Sequence, residues 1–471
     1  MMEFIVDIND KINGFVWGPV MLILLVGTGI YVTLGTRFYQ VTHFGLWIRE
    51  TFFAIFKKDR VHDKSDPKAI SQFQSFTTAL AGTVGIGNIV GVATAIVAGG
   101  AGAVFWMWVS AFFGMMTKYC ENVLGILYRY KNEKGEWLGG AMIYLERGLK
   151  CKPLAVLFSV FTVFASFGIG NMTQANGISS SITKLTNIPS WIVGVVIMLL
   201  AALVILGGIK RVAAVTEKIV PVMALFYLVG SLAIIIMNVE GIPLAFEQII
   251  EGAFSFKAVA GGAGGYIIMN AMRFGIARGV FSNEAGLGSS VMVHSASNVK
   301  EPVKQGMWGI FEVFFDTIIV CTLTALCILC TGAVSTGENG AALAMEAFSH
   351  GFGQFGAVFI TASIAMFAFA TILGWSYYGE RAFEYLFGVK YLTIYKLVFI
   401  ALIIVGCTSS LDLVWGISDT FNGLMAIPNL IGVIALSGMV FRATKDYLQR
   451  QLDDPDAEDI ARTAAAFERN K

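Results

Sequence analysis

The stretch SFTTALAGTVGIGNIVGVATAIVA, Ser75 to Ala98, is apolar enough to cross a bilayer, yet Gly82, Gly85 and Gly87 crowd its middle and Asn88 follows directly. Each glycine inside a helix costs about 0.8–1 kcal/mol relative to alanine, so the cluster predicts a break near 83–87. A break at membrane depth frees carbonyls on one side and amides on the other, and lipid satisfies neither. Carbonyls joined by a hydroxyl and an amide oxygen suit a dehydrated sodium ion, while the amino end of the second half-helix suits a carboxylate. Close helix packing through small residues, as in GxxxG contacts, is the competing explanation. Asn88 favours binding, because a bare packing face has little use for an amide. A dinucleotide reading of GTVGIGN fails, since no βαβ unit surrounds it and no acidic residue follows at the required distance.

The rest of the chain supplies the membrane context. Hydrophobic residues make up 56% of it against 14% charged, and the mean hydropathy is +0.71, so a water-soluble surface cannot be assembled from this material. Apolar runs of about 20 residues recur with short polar gaps. They predict an all-α integral membrane protein of eleven helices at about 15–36, 71–98, 101–128, 153–184, 190–207, 211–238, 262–294, 307–331, 354–385, 391–408 and 411–440. Segments 40–57, 243–256 and 341–352 are amphipathic and too polar to span, so they are expected along the interface. This gives a peripheral N-terminal helix within 1–36, a core of ten helices over 37–440 and a charged cytoplasmic tail over 441–471. The first apolar run has no basic segment or small-residue cleavage site ahead of it and reads as a retained helix.

Basic residues set the orientation in a cell membrane, because short loops rich in Lys and Arg stay in the cytoplasm. The loop after the first helix carries Arg37, Arg49, Lys57, Lys58, Arg60, Lys64 and Lys68, and the loop after the third carries Arg129, Lys131, Lys134, Arg147, Lys150 and Lys152. Residues 239–261 offer only Lys257, and 332–353 contain no Lys or Arg. The N-terminus is therefore expected outside and the C-terminus inside. A net charge of +1 with dispersed cations gives no sign of a nucleic-acid partner. The six cysteines sit mostly in apolar runs and read as small core residues rather than metal or redox groups.

A second interruption, NAMRFGIARGVFSNEAGLG at 270–288, puts Arg273, Arg278 and Glu284 into one membrane segment. Gly275 and Gly279 bracket Ile276 and Ala277, which predicts a break at about 274–278, with the charges as structural or gating groups and Phe274 and Ile276 lining an apolar pocket. Neither break, so placed, contains a carboxylate. Two broken helices with five helices between their starts are what an inverted repeat predicts: one extra helix, then five and five.

GGAGAVFWMWVSAFFG at 99–114 and GIARGVFSNEAGLGSS at 275–290 resemble signature stretches of the alanine or glycine:cation symporter family, within the amino acid–polyamine–organocation superfamily. The resemblance covers most of the chain. VGIGN at 84–88 also resembles the break in the first core helix of the bacterial leucine transporter. It implies a leucine-transporter-like fold in which the carbonyls of Ala81 and Val84 hold one sodium ion, Thr83 with Asn88 holds a second, and the amides of Ile86 and Gly87 meet the substrate carboxylate beside Gly85. Two further helices are expected to close the site. Asn171 or Gln174 would face the substrate, with helix–helix hydrogen bonding as the alternative. Thr371 and the carbonyl of Ala368, three residues apart on one helix face, would complete the sodium cage, unless the hydroxyl bonds back to its own helix. Trp375, with Phe274, Gly275 and Ile276, would limit side-chain size.

The resulting expectation is a sodium-coupled carrier, not an enzyme, that imports a small neutral amino acid by alternating access. Sodium is its co-transported ion, and its partners are alanine or glycine, Na+ and the bilayer. A proton-coupled carrier or exchanger keeps this architecture and changes the ion, while a channel would pass ions without amino acid. An intramembrane enzyme lacks the Ser/His, paired-Asp or HExxH constellation it needs.

Overall fold

The computed structural model describes residues 2–57, 61–254, 264–409, 411–453 and 463–468. The ends of the expected segments at 255–256 and 262–263, and Lys58, Arg60 and Lys257, lie outside these residues. Apart from a two-stranded hairpin, Tyr130–Lys131 with Trp137–Leu138, the secondary structure described is helical. Helices occupy every expected segment, and among the described residues seven are long and apolar enough to cross a membrane. Their outer faces are greasy. Val222, Leu225, Val229 and Ile236 stand exposed along the Gly208–Met237 helix, an apolar stripe turned outward rather than toward a core. The last long helix, Leu411–Asp453, runs on past 440, with Tyr447 buried and Arg450 Nη2 donating to Glu301 Oε2 at 2.7 Å.

The first break forms as the glycines suggest. Ser71 and Gln74 start the helix with a reciprocal cap, the Gln74 amide donating to Ser71 Oγ at 3.1 Å and the Ser71 amide to Gln74 Oε1 at 3.2 Å. The helix Gln72–Thr83 ends there, Val84 and Gly85 are extended, a 3-10 turn covers Ile86–Asn88, and Val90–Gly99 resumes. The approach of the Gln354–Phe387 helix requires small residues at this level. A Cβ on Gly374 would lie 2.8 Å from the Gly82 nitrogen.

The second break is elsewhere than expected. Gly264–Asn283 is one helix straight through 274–278. Gly275 and Gly279 serve packing instead: a Cβ at 275 would lie 2.3 Å from the Ala103 carbonyl oxygen, and one at 279 would lie 2.6 Å from Ser110 Oγ. The chain leaves the helix at Glu284 (φ 57°), passes through Gly286 (φ 93°) and Gly288 (φ 73°), and re-forms a turn at Val291–His294. Positive φ suits glycine, and Asn283 Oδ1 steadies the exit by accepting from the Ala285 amide at 3.0 Å. The second break therefore does contain a carboxylate, contrary to expectation.

Two of the three π-helical turns among the described residues, Gly168–Met172 and Phe314–Cys321, each add a residue to an otherwise regular helix and rotate the turns beyond it. The ends of the two broken segments meet where the Ile70 amide donates to the Ala296 carbonyl at 3.1 Å and the Asn298 amide donates to the Ile70 carbonyl at 2.7 Å. The two basic loops touch on this same side, Lys131 Nζ lying 3.0 Å from Asp66 Oδ2.

Candidate functional site

Gly82, Thr83, Gly85, Gly87, Ile169, Gln174, Phe281, Glu284, Thr371 and Trp375 enclose a small central cavity between the two breaks. Its volume, about 10 Å³, holds roughly one water. An amino acid enters only by displacing these walls.

The first break supplies backbone. The Gly85 amide, next in the helical ladder to Ala81, donates to Asn88 Oδ1 at 2.9 Å. The Ile86 amide donates to Gln174 Oε1 at 3.2 Å, and Gln174 Nε2 is itself held by the Ile169 carbonyl at 3.1 Å. A bound carboxylate would take the place of this glutamine oxygen. Across the cavity, Thr371 Oγ1 donates to Phe367 O, one turn back, at 3.1 Å and lies 3.4 Å from the Val84 carbonyl oxygen. Ala81, Val84 and Ala368 are all fully buried beside it.

The second break supplies charge. Trp375 Nε1 donates to Glu284 Oε1 at 2.7 Å, and Ser289 Oγ donates to Oε2. Phe281 closes the wall against Gly87, where an added Cβ would meet its ring at 3.1 Å. The indole of Trp375 is seated on the π turn at 168–172, since a Cβ on Gly170 would lie 2.3 Å from Trp375 Cβ.

The sequence profile of the sodium:alanine symporter family matches residues 2–461. The chain belongs to that family. It is 44% identical over 454 residues to the sodium/alanine symporter AgcS of Methanococcus maripaludis, spanning 95% of this chain and 98% of that one. An uncharacterized transporter of Haemophilus influenzae is 46% identical over 447 residues, with 94% and 96% covered. The probable sodium/glutamine symporter GlnT of Bacillus subtilis is 35% identical over 454 residues, with 96% and 92% covered. The solved manganese transporter of Eremococcus coleocola aligns over 79% of this chain and 77% of its own at TM-score 0.49 and 15% identity. Membership makes the protein a multi-pass membrane transporter of the amino acid:cation symport class.

Within this family member, Thr83, Gly85, Gly87, Gln174, Thr371 and Trp375 come together in the lining of the cavity. Other expected residues do not. Phe274, Gly275 and Ile276 lie outside the lining because their helix is unbroken and continues to Phe281 and Glu284 before it reaches the cavity. Phe274 packs on Gly99 instead. Asn171 turns away, donating from Nδ2 to the Phe399 carbonyl at 2.5 Å, the helix–helix bond weighed against a substrate role. Of the pair expected at a second ion, the Thr83 hydroxyl lies 3.4 Å from both Ala79 O and Leu80 O, and Asn88 Oδ1 holds the Gly85 amide.

Asn88 has a partner that sequence reasoning missed. Its Nδ2 donates to Asp316 Oδ1 at 2.7 Å, and Asp316 Oδ2 accepts from Ser282 Oγ and Thr317 Oγ1 at 2.8 Å each. A buried carboxylate thus ties both broken segments to the π turn at 314–321. Of the arginines at 273 and 278, Arg278 Nη1 lies 3.3 Å from Asp419 Oδ2.

Proposed function

We propose that the protein couples entry of a small neutral amino acid, alanine or glycine, to the sodium gradient. The observation that carries this reading is the first break, which presents the Val84 carbonyl to the Thr371 hydroxyl on one side and the Ile86 amide to Gln174 Oε1 on the other. Sodium takes the oxygens of Ala81, Val84, Ala368 and Thr371 and stiffens the broken segment. The amino acid places its carboxylate on the amides of Ile86 and Gly87, displacing Gln174 Oε1. Its ammonium meets the released carbonyls and Glu284, whose oxygens keep free lone pairs. Coupling is the difference in affinity of the two conformations for the loaded site.

The proposal includes eleven spanning helices in a five-plus-five inverted repeat after one extra helix, with the N-terminus outside. The breaks at 84–89 and 284–290 support it, since each would open one repeat. The names of the relatives AgcS and GlnT support sodium and an amino acid, and the narrow cavity favours the smaller of their two named substrates.

Phe281 and Trp375 confine the side-chain end of this cavity. Leucine is therefore expected to compete with labelled alanine at least about tenfold more weakly than glycine does, because its extra carbons need a pocket the walls do not provide. A competition series in proteoliposomes measures this, and equal displacement by leucine and glycine would remove the proposed pocket.

A further inference from the structure

Beyond Glu284, toward the basic loops, Lys118 is fully buried with Nζ 3.4 Å from Glu312 Oε1. Glu312 Oε2 also accepts from His294 Nε2 at 2.9 Å. Gln305 Nε2 lies 2.6 Å from His294 Nδ1 on the other side of the ring. Glu121 and Glu284 are the other carboxylates in electrostatic reach of Lys118. Three buried carboxylates thus share one ammonium. Uncompensated buried charge is costly, and a bound proton relieves it.

Counting donors shows where that proton belongs. Both oxygens of Glu284 are held, by Trp375 and Ser289; Glu312 has His294 Nε2 on one oxygen, and its other oxygen makes no hydrogen bond but lies 3.4 Å from the Lys118 ammonium. Glu121 Oε1 accepts from Asn429 Nδ2 at 2.6 Å, but its buried Oε2 has no hydrogen-bond partner. Of the three carboxylates, Glu121 alone has an oxygen with neither a hydrogen-bond partner nor the ammonium within 4 Å, which makes it the costliest to ionise.

We propose that Glu121 is a proton-binding site of the carrier, occupied while the surrounding helices are closed and emptied when they open to water. Asn429 links it to transport, because the same Nδ2 donates to the Gly286 carbonyl at 2.8 Å within the second break, and its Oδ1 accepts from the Tyr144 hydroxyl. Movement of segment 284–290 pulls on the partner of Glu121. Opening transfers the proton from Oε2 to water and leaves a hydrated carboxylate; closing takes one back. The titratable groups facing Glu121 are Lys118 and Cys120 on its own helix, Tyr144 and Glu312, with Glu284 and His294 behind them.

Proton counts give the sign. The closed form holds one more proton than the open form, so acid favours closure and transport slows as pH falls, by up to about tenfold per unit. The first test is sodium-driven uptake of labelled alanine into proteoliposomes at equal internal and external pH, from about 5 to 8. Wild type is expected to slow toward acid, while Glu121→Gln, which mimics the protonated group, gives a flat profile. The second is infrared spectroscopy of the purified protein at neutral pH, where wild type should show a protonated-carboxyl band that Glu121→Gln lacks. The transport arm rests on the sodium-coupled reading, and the infrared arm does not. Absent uptake in wild type removes that reading alone. Uptake that is insensitive to pH, an unchanged profile in the variant, or wild type without the band overturns the proton site, and the last of these holds even if the variant fails to fold.

Discussion

Replacing Thr371 with valine should raise the sodium concentration for half-maximal alanine uptake by about tenfold or more. The substitution keeps the shape and deletes only the oxygen, and losing one such ligand costs on the order of 1–3 kcal/mol by analogy with an unmade buried hydrogen bond. Thr371→Ser restores the oxygen and should keep near-normal sodium dependence. The hydroxyl has two acceptors within reach, Phe367 O at 3.1 Å and Val84 O at 3.4 Å. A threonine that serves only its own helix contributes local geometry, and its removal would leave the sodium response unaltered. Uptake measured against sodium concentration for the three proteins separates the two roles. A folded valine variant with the wild-type curve would remove Thr371 from the cage.

Gly85→Ala should cut uptake by about tenfold to a hundredfold, the effect of forcing one methyl into a closed space at about 1–3 kcal/mol. The added Cβ would lie 2.5 Å from Thr371 Oγ1 and 3.1 Å from Gln174 Oε1, so it strikes the proposed ion ligand and the group that holds the Ile86 amide at once. Gly91→Ala is the matching control. It lies in the second half-helix with nothing within 4 Å of its would-be Cβ, and alanine there improves helix propensity. The control should transport at or near the wild-type rate. Equal activity of the two variants in the same vesicles would show that the space beside Gly85 is not where substrate and ion bind.

How far the sequence carried the fold depended on what each glycine was doing. Around 82–87 the glycines come with Asn88, and both the break and its place were readable. At 275 and 279 the same residue type keeps a helix intact by letting another helix approach, and the spacing of four was the sign of that use. The true break used Gly286 and Gly288, which take positive φ as well as lying under close neighbours. That displacement moved the expected pocket wall from Phe274 to Phe281, two turns along. Asp316 escaped notice because a π turn aims it at Asn88, and an inserted helical residue has no composition of its own. Asn171 and Gln174 looked alike in sequence; only packing against the Leu392–Thr408 helix drew Asn171 away.

Glu284 bears on the choice of coupling ion. A carboxylate does stand at the cavity, so absence of a proton carrier is no longer an argument for sodium. What argues for sodium is the neutral cage of carbonyls and a hydroxyl proposed around Thr371, together with the family. Uptake of labelled alanine into proteoliposomes tests this most directly, comparing external sodium with external potassium while the proton gradient is collapsed by an uncoupler. The account predicts accumulation in sodium medium that survives the uncoupler and is absent in potassium. Equal uptake in the two media, or loss of sodium-driven uptake on uncoupling, would contradict it.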